Sequence, residues 1–442
     1  MINILVIFEY NHEYPLRQSI IDHLYSFKRY SNYRYYYINI GVMNPPKFIL
    51  SVKFDLIIFH TTFISLHFSR ELFISKMESI AYLKNYSAIK IALPQDEFIN
   101  TDLLCEFINN FNINHVFSVA PPSEWAKIYP VVDRTKVQFH EVLTGYLDEK
   151  TICTINKKAL KYGSKRDIDI GYRAYRAEAW LGRHGILKTY IADKFLSESP
   201  KYGLKVDLST NQFDKILGDD WFDFLLKCKY TLGVEGGSSI LDTYGTIRQK
   251  TEDYSRNHPD ASFDEIESAC FPGADGSINL FAISPRHLEA CATKTCQVLI
   301  EGEYNGILNP GIHYLELKRD FRNIFDIIQI IKNDSERETL TERAYCDIIL
   351  SGKYSYQHFV NFVLSTIRLP SSINNNQERL SCKEWFVWKV IAIADRINWV
   401  RIAVNIKILT PFTRHNLYSI LIVHIPLKNQ LTRVYHYLRN HL

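Results

Sequence analysis

Three stretches carry residue types from which a site for a phosphorylated ligand can be built. The first is Tyr230-Thr-Leu-Gly-Val-Glu235-Gly236-Gly237-Ser-Ser239. An apolar run enters a Gly-Gly pair and Ser-Ser follows, which reads as a strand, a tight turn and a helix start. Glycines let the backbone come close to a ligand, and a helix N-terminus offers free N–H groups and a positive dipole end, a combination that suits a diphosphate. The same residues also make an ordinary strand-to-helix turn, and the spacing is neither G-x-G-x-x-G nor a P-loop. The second stretch is Ser284-Pro-Arg286-His287-Leu-Glu289-Ala290, a helix start after a strand. Glu289 can accept two hydrogen bonds from a cis-diol such as a ribose, and Arg286 can neutralise phosphate. The alternative is an exposed glutamate with an arginine three residues before it. The third is Asp169-Ile-Gly-Tyr-Arg173-Ala-Tyr-Arg176, followed by Gly182-Arg183-His-Gly-Ile-Leu-Lys188. Fixed cations at the carboxyl end of a strand stabilise charge that grows on a leaving diphosphate. Asp167 and Asp169 also spell Asp-x-Asp, a pattern that can bind a metal ion. Here they lead into a strand instead of following one, so no metal is expected.

Proton transfer needs a carboxylate or imidazole that faces the ligand. His12, His60, Asp96 and Glu97 sit in loops that follow apolar runs. Asp96 and Glu97 are adjacent, so at most one of them faces a cleft squarely.

The elements that must position these residues alternate. Ile2–Phe8, Tyr35–Ile40, Phe54–His60, Ala88–Leu93 and His115–Val119 read as strands, with helices over Leu16–Lys28, Arg70–Lys84, Thr101–Phe111 and Ser123–Ile128. After a polar stretch, Asp148–Lys165, the alternation resumes. Strands are expected at Ile168–Tyr172, Leu204–Leu208, Tyr230–Val234, Leu280–Ile283 and Gln297–Ile300, and helices at Gly185–Phe195, Ser284–Cys291 and Phe321–Ile331. Capping boxes at Ser262–Glu265 and Ser335–Glu338 mark further helix starts. The expected fold class is α/β, with two Rossmann-like domains, 1–150 and 165–350, facing a cleft. Residues 351–442 would add C-terminal helices and a basic tail.

Composition bounds the rest. With 442 residues, 46% apolar and 23% charged, the chain is globular and long enough for two or three domains. A net charge of +4 gives no footprint for nucleic acid. The eight cysteines form no C-x-x-C pair, which fits reduced thiols in the cytoplasm. No run reaches the length of a membrane span, and the N-terminus reads as a buried strand and not as a signal peptide. Residues 371–442 carry ten Lys/Arg against three Asp/Glu, with Trp385, Trp388 and Trp399 among Val and Ile. Such a tail suits an anionic membrane surface or a partner, and equally a helix pair packed on the N-terminal half.

The ordered set Asp22-His-Leu-Tyr25, Leu93-Pro-Gln-Asp-Glu97, Leu143-Thr-Gly-Tyr-Leu-Asp148, Ile168-Asp-Ile-Gly-Tyr-Arg173, Leu232-Gly-Val-Glu-Gly-Gly237, Ser284-Pro-Arg-His-Leu-Glu289 and Glu303-Tyr-Asn-Gly306 resembles glycosyltransferases of the GT-B fold. In particular it resembles the bacterial family-1-like enzymes found with surface-polysaccharide genes. The resemblance spans about residues 1–350. It implies a donor site in the C-terminal half, where Glu289 binds the nucleotide ribose, Arg173 and Lys188 hold the diphosphate, and Gly236 and Gly237 bring N–H groups near the donor. Glu235, Arg286 and His287 belong to the same donor motifs. It implies no cofactor and no metal, with a nucleotide-diphosphate sugar as co-substrate and a glycan or lipid-linked acceptor on the N-terminal half. Retaining members usually carry a second acid eight residues before the ribose-binding glutamate, where this chain has Phe281. The retaining mechanism is therefore not carried over, and an inverting displacement with Asp96 or Glu97 as base stays open. A sugar-nucleotide epimerase and a non-catalytic glycan-binding or assembly protein are the alternatives.

Overall fold

The computed structural model describes residues 2–10, 17–41, 47–163, 165–369, 385–391 and 393. Six strands build the N-terminal sheet: β1 (Asn3–Phe8), β2 (Arg34–Asn39), β3 (Leu56–Phe59), β4 (Ile89–Ala92), β5 (His115–Ser118) and β6 (Gln138–Glu141). All pair in parallel, in the order β2-β1-β3-β4-β5-β6. A parallel sheet is covered by helices on both faces, so its strands need apolar residues at successive positions. Accordingly all six residues of Asn3-Ile-Leu-Val-Ile-Phe8 are buried.

In the C-terminal half, β7 (Ile168–Arg173), β8 (Val206–Ser209) and β9 (Cys228–Gly233) are followed by β10 (Gly236–Ser238), β11 (Leu280–Ala282), β12 (Cys296–Ile300) and β13 (Tyr314–Leu317). The second sheet is parallel, in the order β13-β12-β9-β7-β8. In each sheet the third strand of the half lies beside the first and away from the second. That reversal opens a crevice at the carboxyl ends of the strands, where open α/β sheets bind ligands.

Several expectations change. Leu280–Ala282 leaves the main sheet and pairs antiparallel with Gly236–Ser238. No helix opens at Ser238-Ser239, and the next one is Thr246–Asn257. The Gly-Gly pair serves this ribbon: Gly237 has φ +107, and a Cβ there would stand 1.8 Å from the Leu280 carbonyl oxygen. Gly237→Ala should therefore destabilise the protein by about 3 kcal/mol or more, read as a lower urea midpoint. The polar stretch Asp148–Lys165 contains the helix Glu149–Tyr162, which Asp148 caps through Lys150 N at 2.9 Å. The Ser262 capping box forms. The one at Ser335 does not, and the helix starts at Arg337 with no side-chain cap.

The described residues up to 391 form one compact unit. The two crossings between its halves are stapled together, because Leu147 N donates to Tyr354 O at 2.9 Å and Tyr356 N to Leu147 O at 3.0 Å. The helix Tyr356–Thr366 returns to the N-terminal half, with Tyr356 OH on Ser19 O at 2.9 Å. A second tie joins Asn100 N to Asp242 O at 2.8 Å and Asp242 N to Phe98 O at 2.7 Å. Around it Trp180, Leu181, Ile278 and Leu280 enter the core of the N-terminal half. Val387 and Ile391, from the helical residues 385–391, are buried in that same core. Residues 370–384, 392 and 394–442, Trp399 among them, lie outside the described residues, as does His12. Among the described residues no helix is long and apolar enough to cross a membrane.

Candidate functional site

The loops at the carboxyl ends of the two sheets lie against each other. Gln95, after β4, donates to Thr144 O at 2.8 Å, and Thr144 Oγ1 donates to Ile283 O, after β11, at 2.6 Å. Gly145 leaves so little room that a Cβ would stand 2.7 Å from Pro285 Cγ. This seam forms the floor between the halves.

Charged side chains converge above it. Asp96 comes from the N-terminal half in the left-handed region, at φ 56, a conformation uncommon for a non-glycine residue and tolerated by Asp. The residue is exposed to solvent and lies within reach of the charges of Lys188 and Arg17. Desolvation raises its carboxyl pKa, while Lys188 and Arg17 pull the other way. Lys188, on the helix Gly182–Glu198, lies 5.4 Å above the Tyr175 ring, and desolvation lowers its ammonium to about 8 despite the opposing charge of Asp96. Arg286 and Glu289 project from the helix Pro285–Ala292. Glu289 is raised by desolvation, opposed by the indole of Trp221, which donates Nε1–H to its Oε2 at 2.7 Å, and by the charges of Arg286 and Arg17. Lys215 feels Arg17 and Arg286 in turn and is lowered by burial and by both cations. Four cations from the two halves thus share the crevice with two carboxylates.

Arg17 escapes a reading of the sequence that runs the first helix from residue 16. It is the residue before the helix Gln18–Arg29, at its N-cap, with no side-chain capping bond. A cation is disfavoured at the positive end of a helix dipole. An arginine there is therefore the signal that could have found it. Lys215 and Trp221 have no such signal in the spacing.

Other candidates are committed elsewhere. Glu97 is fully buried: Val119 N and Ala120 N donate to its Oε2 at 2.9 and 3.0 Å, and Tyr129 OH donates to Oε1. Burial pushes its carboxyl up to about 7. It ties two loops together and does not face the crevice. His60 is also buried. Its Nδ1 accepts Thr62 N–H at 3.2 Å, capping the helix Thr61–Ile64, so its Nε2–H donates to His23 Nδ1 at 2.9 Å. These two side chains are committed to neighbouring loops by their hydrogen bonds, whereas Asp96 opens into the crevice.

Arg173 spends its guanidinium on Asp207, whose Oδ1 accepts from Nη2 at 2.7 Å, and on the Phe224 ring at 4.6 Å. It reaches the site through its carbonyl, which accepts Arg286 Nη1–H at 2.7 Å. Buried Glu235 accepts Tyr304 N–H at 2.6 Å and so anchors the loop after β12. His287 accepts Ser284 N–H at 3.0 Å and caps its own helix. Phe281, in place of a second acid, stacks on His184 with centroids 3.7 Å apart. Asp169 is paired with Lys229 at 2.8 Å and accepts Lys205 N–H.

The chain has the GT-B fold. Its two switch-point sheets face each other across a seam with the charged crevice above, and the returning C-terminal helix closes the unit. No known protein family and no curated protein sequence matches the chain. Among solved structures it is similar to Alr3699/HepE of Anabaena in complex with UDP and glucose, with TM-score 0.47, 11% identity, and coverage of 83% of this chain and 99% of that one. It is also similar to an alpha-glucosyltransferase in complex with UDP-glucose and DNA containing an abasic site, with TM-score 0.48, 9% identity, and coverage of 83% and 98%. A glycosyltransferase from Rickettsia africae aligns with TM-score 0.44, 11% identity, and coverage of 83% and 97%.

Burial also sets an acid limit. Desolvation lowers His23 to about 4, against about 6.5 in an unfolded chain. The unfolded state therefore binds the proton first, and the stability due to His23 is present above pH 6.5 and lost as pH falls toward 4. Replacing His23 by Gln removes that term. The stability advantage of the wild type over His23→Gln should shrink by about 2 kcal/mol between pH 7 and pH 5 in urea titrations.

Proposed function

We propose that the protein is a glycosyltransferase that moves a sugar from a nucleotide-diphosphate donor to a hydroxyl of a glycan or lipid-linked acceptor in surface-polysaccharide synthesis. The observation that carries this reading is the crevice where Arg17, Lys188, Lys215 and Arg286 surround Asp96 and Glu289 at the carboxyl ends of two facing sheets. The surplus of two positive charges matches a diphosphate, whose leaving charge fixed cations stabilise without a metal ion.

In this reading Glu289 accepts hydrogen bonds from the nucleotide ribose, and Arg286 and Lys188 hold the diphosphate with help from Arg17 and Lys215. The acceptor lies along the N-terminal half. Asp96 takes its hydroxyl proton as the oxygen attacks the anomeric carbon. The bond from that carbon to the diphosphate oxygen breaks, and its electron pair leaves with the diphosphate. With Phe281 where a second acid would stand, an inverting displacement is the step these residues support. The basic tail would hold the enzyme at the cytoplasmic face of an anionic membrane, where lipid-linked acceptors lie.

The test is thermal denaturation with UDP, GDP, dTDP and their sugar conjugates. At 100 times its dissociation constant a true ligand stabilises the fold by about 2.7 kcal/mol. One nucleoside diphosphate should raise the melting temperature well beyond the rest. No response to any of them overturns the reading.

A further inference from the structure

A column of side chains runs beneath the charged crevice. At its base Asp207 grips Arg173, through Oδ1 at 2.7 Å and its carbonyl oxygen at 2.9 Å. The Arg173 guanidinium lies 4.6 Å over the Phe224 ring, and Phe224 stacks on Trp221 with centroids 5.6 Å apart and planes 28° from parallel. Arg286 covers Trp221, its guanidinium carbon 5.7 Å from the ring centroid, and returns to the base of the column by donating Nη1–H to Arg173 O at 2.7 Å. Trp221 then reaches sideways and donates its indole N–H to Glu289 Oε2 at 2.7 Å.

We infer that Trp221 is a positioning residue for the donor site: its indole fixes the rotamer of Glu289 through one hydrogen bond and the place of Arg286 through its ring face. This rests on the reading of the crevice as a nucleotide-sugar site. Both residues stand on one helix, three positions apart, and a single aromatic side chain touches both. An indole N–H donates and never accepts, so the bond holds Glu289 as the ionised acceptor that a hydroxyl ligand needs. It commits Oε2, and among the described residues no hydrogen bond occupies Oε1. The same bond is the leading influence keeping the Glu289 carboxyl from rising further under desolvation.

The test is Trp221→Phe, which keeps a smaller aromatic ring between Phe224 and Arg286 and removes the donor. Isothermal titration uses whichever of UDP, GDP and dTDP stabilises the wild type. Affinity at pH 7 should fall about tenfold, the scale of a lost hydrogen bond to a charged group. The acid-side midpoint of binding should move to higher pH, because an unsupported Glu289 protonates sooner. In a Glu289→Ala background, which leaves the indole no acceptor, the same substitution should cost almost nothing, since a residue acting through Glu289 couples to it in a double-mutant cycle. A purely structural role would lower affinity equally in both backgrounds and leave the pH midpoint in place, and that result overturns the inference. So does a Trp221→Phe variant that binds like the wild type from pH 5 to 8. A wild type that binds none of the three nucleotides overturns the site reading itself, and the two failures are thereby distinct.

Discussion

Replacing Asp96 by Asn should cut turnover by about 100- to 10,000-fold, the range a positioned general base contributes, with nucleotide affinity at pH 6.5 kept within about twofold. Asn keeps the size and the tolerance for the left-handed backbone that Asp96 adopts at φ 56, so the loop has no reason to move. What it loses is the capacity to take a proton. The choice of pH matters because Asp96 also supports the charge of Lys188. Desolvation has already lowered that ammonium to about 8, and Asp96 is the leading influence holding it up. Without the carboxylate Lys188 drops further, so at pH 8 the variant should also bind the diphosphate more weakly than the wild type. In the wild type the same pair predicts a bell-shaped rate profile, with an acid limb from Asp96 protonating and an alkaline limb near 8 from Lys188 losing its proton. The measurement is release of the nucleoside diphosphate from its sugar conjugate, with the product sugar analysed. An Asp96→Asn variant that turns over like the wild type would remove Asp96 from the chemistry. Isomerised donor with no acceptor present would instead mark an epimerase.

Most strands of both halves could be read, though not Tyr314–Leu317, because parallel sheets demand consecutive apolar residues, and Ile4–Phe8 or Val298–Ile300 satisfy that demand without help from neighbours. The edge strand Gln138-Phe-His-Glu141 could not, since its residues are exposed or half-buried and carry no apolar run. The Gly-Gly turn misleads for a related reason. A glycine that lets a backbone approach a ligand and one that lets it approach another strand look alike, and the partner strand of Gly237 lies more than forty residues on. The candidate site was partly legible. Glu289, Arg286 and Lys188 have the expected residue types on the expected helices, and the crevice gathers them. Glu97 and His60 were equally good on type and loop position. What removes them is hydrogen bonding to Ala120, Tyr129 and His23, side by side only in the fold. Trp221 was invisible in the opposite sense: its neighbours in sequence say little, and its neighbours in space define it.

Glu289→Ala should weaken binding of the preferred nucleoside diphosphate by about 2–3 kcal/mol, or roughly 30- to 150-fold, the loss typical of a charged hydrogen-bonding partner. Truncation removes the acceptor proposed for the ribose and frees the indole N–H of Trp221, which in the wild type is satisfied at 2.7 Å. It also removes a negative charge that faces Arg17 and Arg286, leaving Asp96 as the other carboxylate near Arg17. The last effect works against the first: a more positive crevice attracts the diphosphate more strongly, so inorganic pyrophosphate, which has no ribose, should bind the variant as well as the wild type or better. Glu289→Gln separates the contributions, because it keeps an acceptor oxygen for the indole but has no charge. Its loss should fall between wild type and Ala for the nucleotide, and near Ala for pyrophosphate. The pH dependence gives a further check. Burial raises the Glu289 carboxyl above its ordinary value, so the wild type should lose affinity on the acid side at a higher pH than a solvated glutamate would impose, and both variants should lose that limb. Equal nucleotide affinity in wild type and Glu289→Ala would mean that the ribose does not lie on this helix, whatever the cations of the crevice bind.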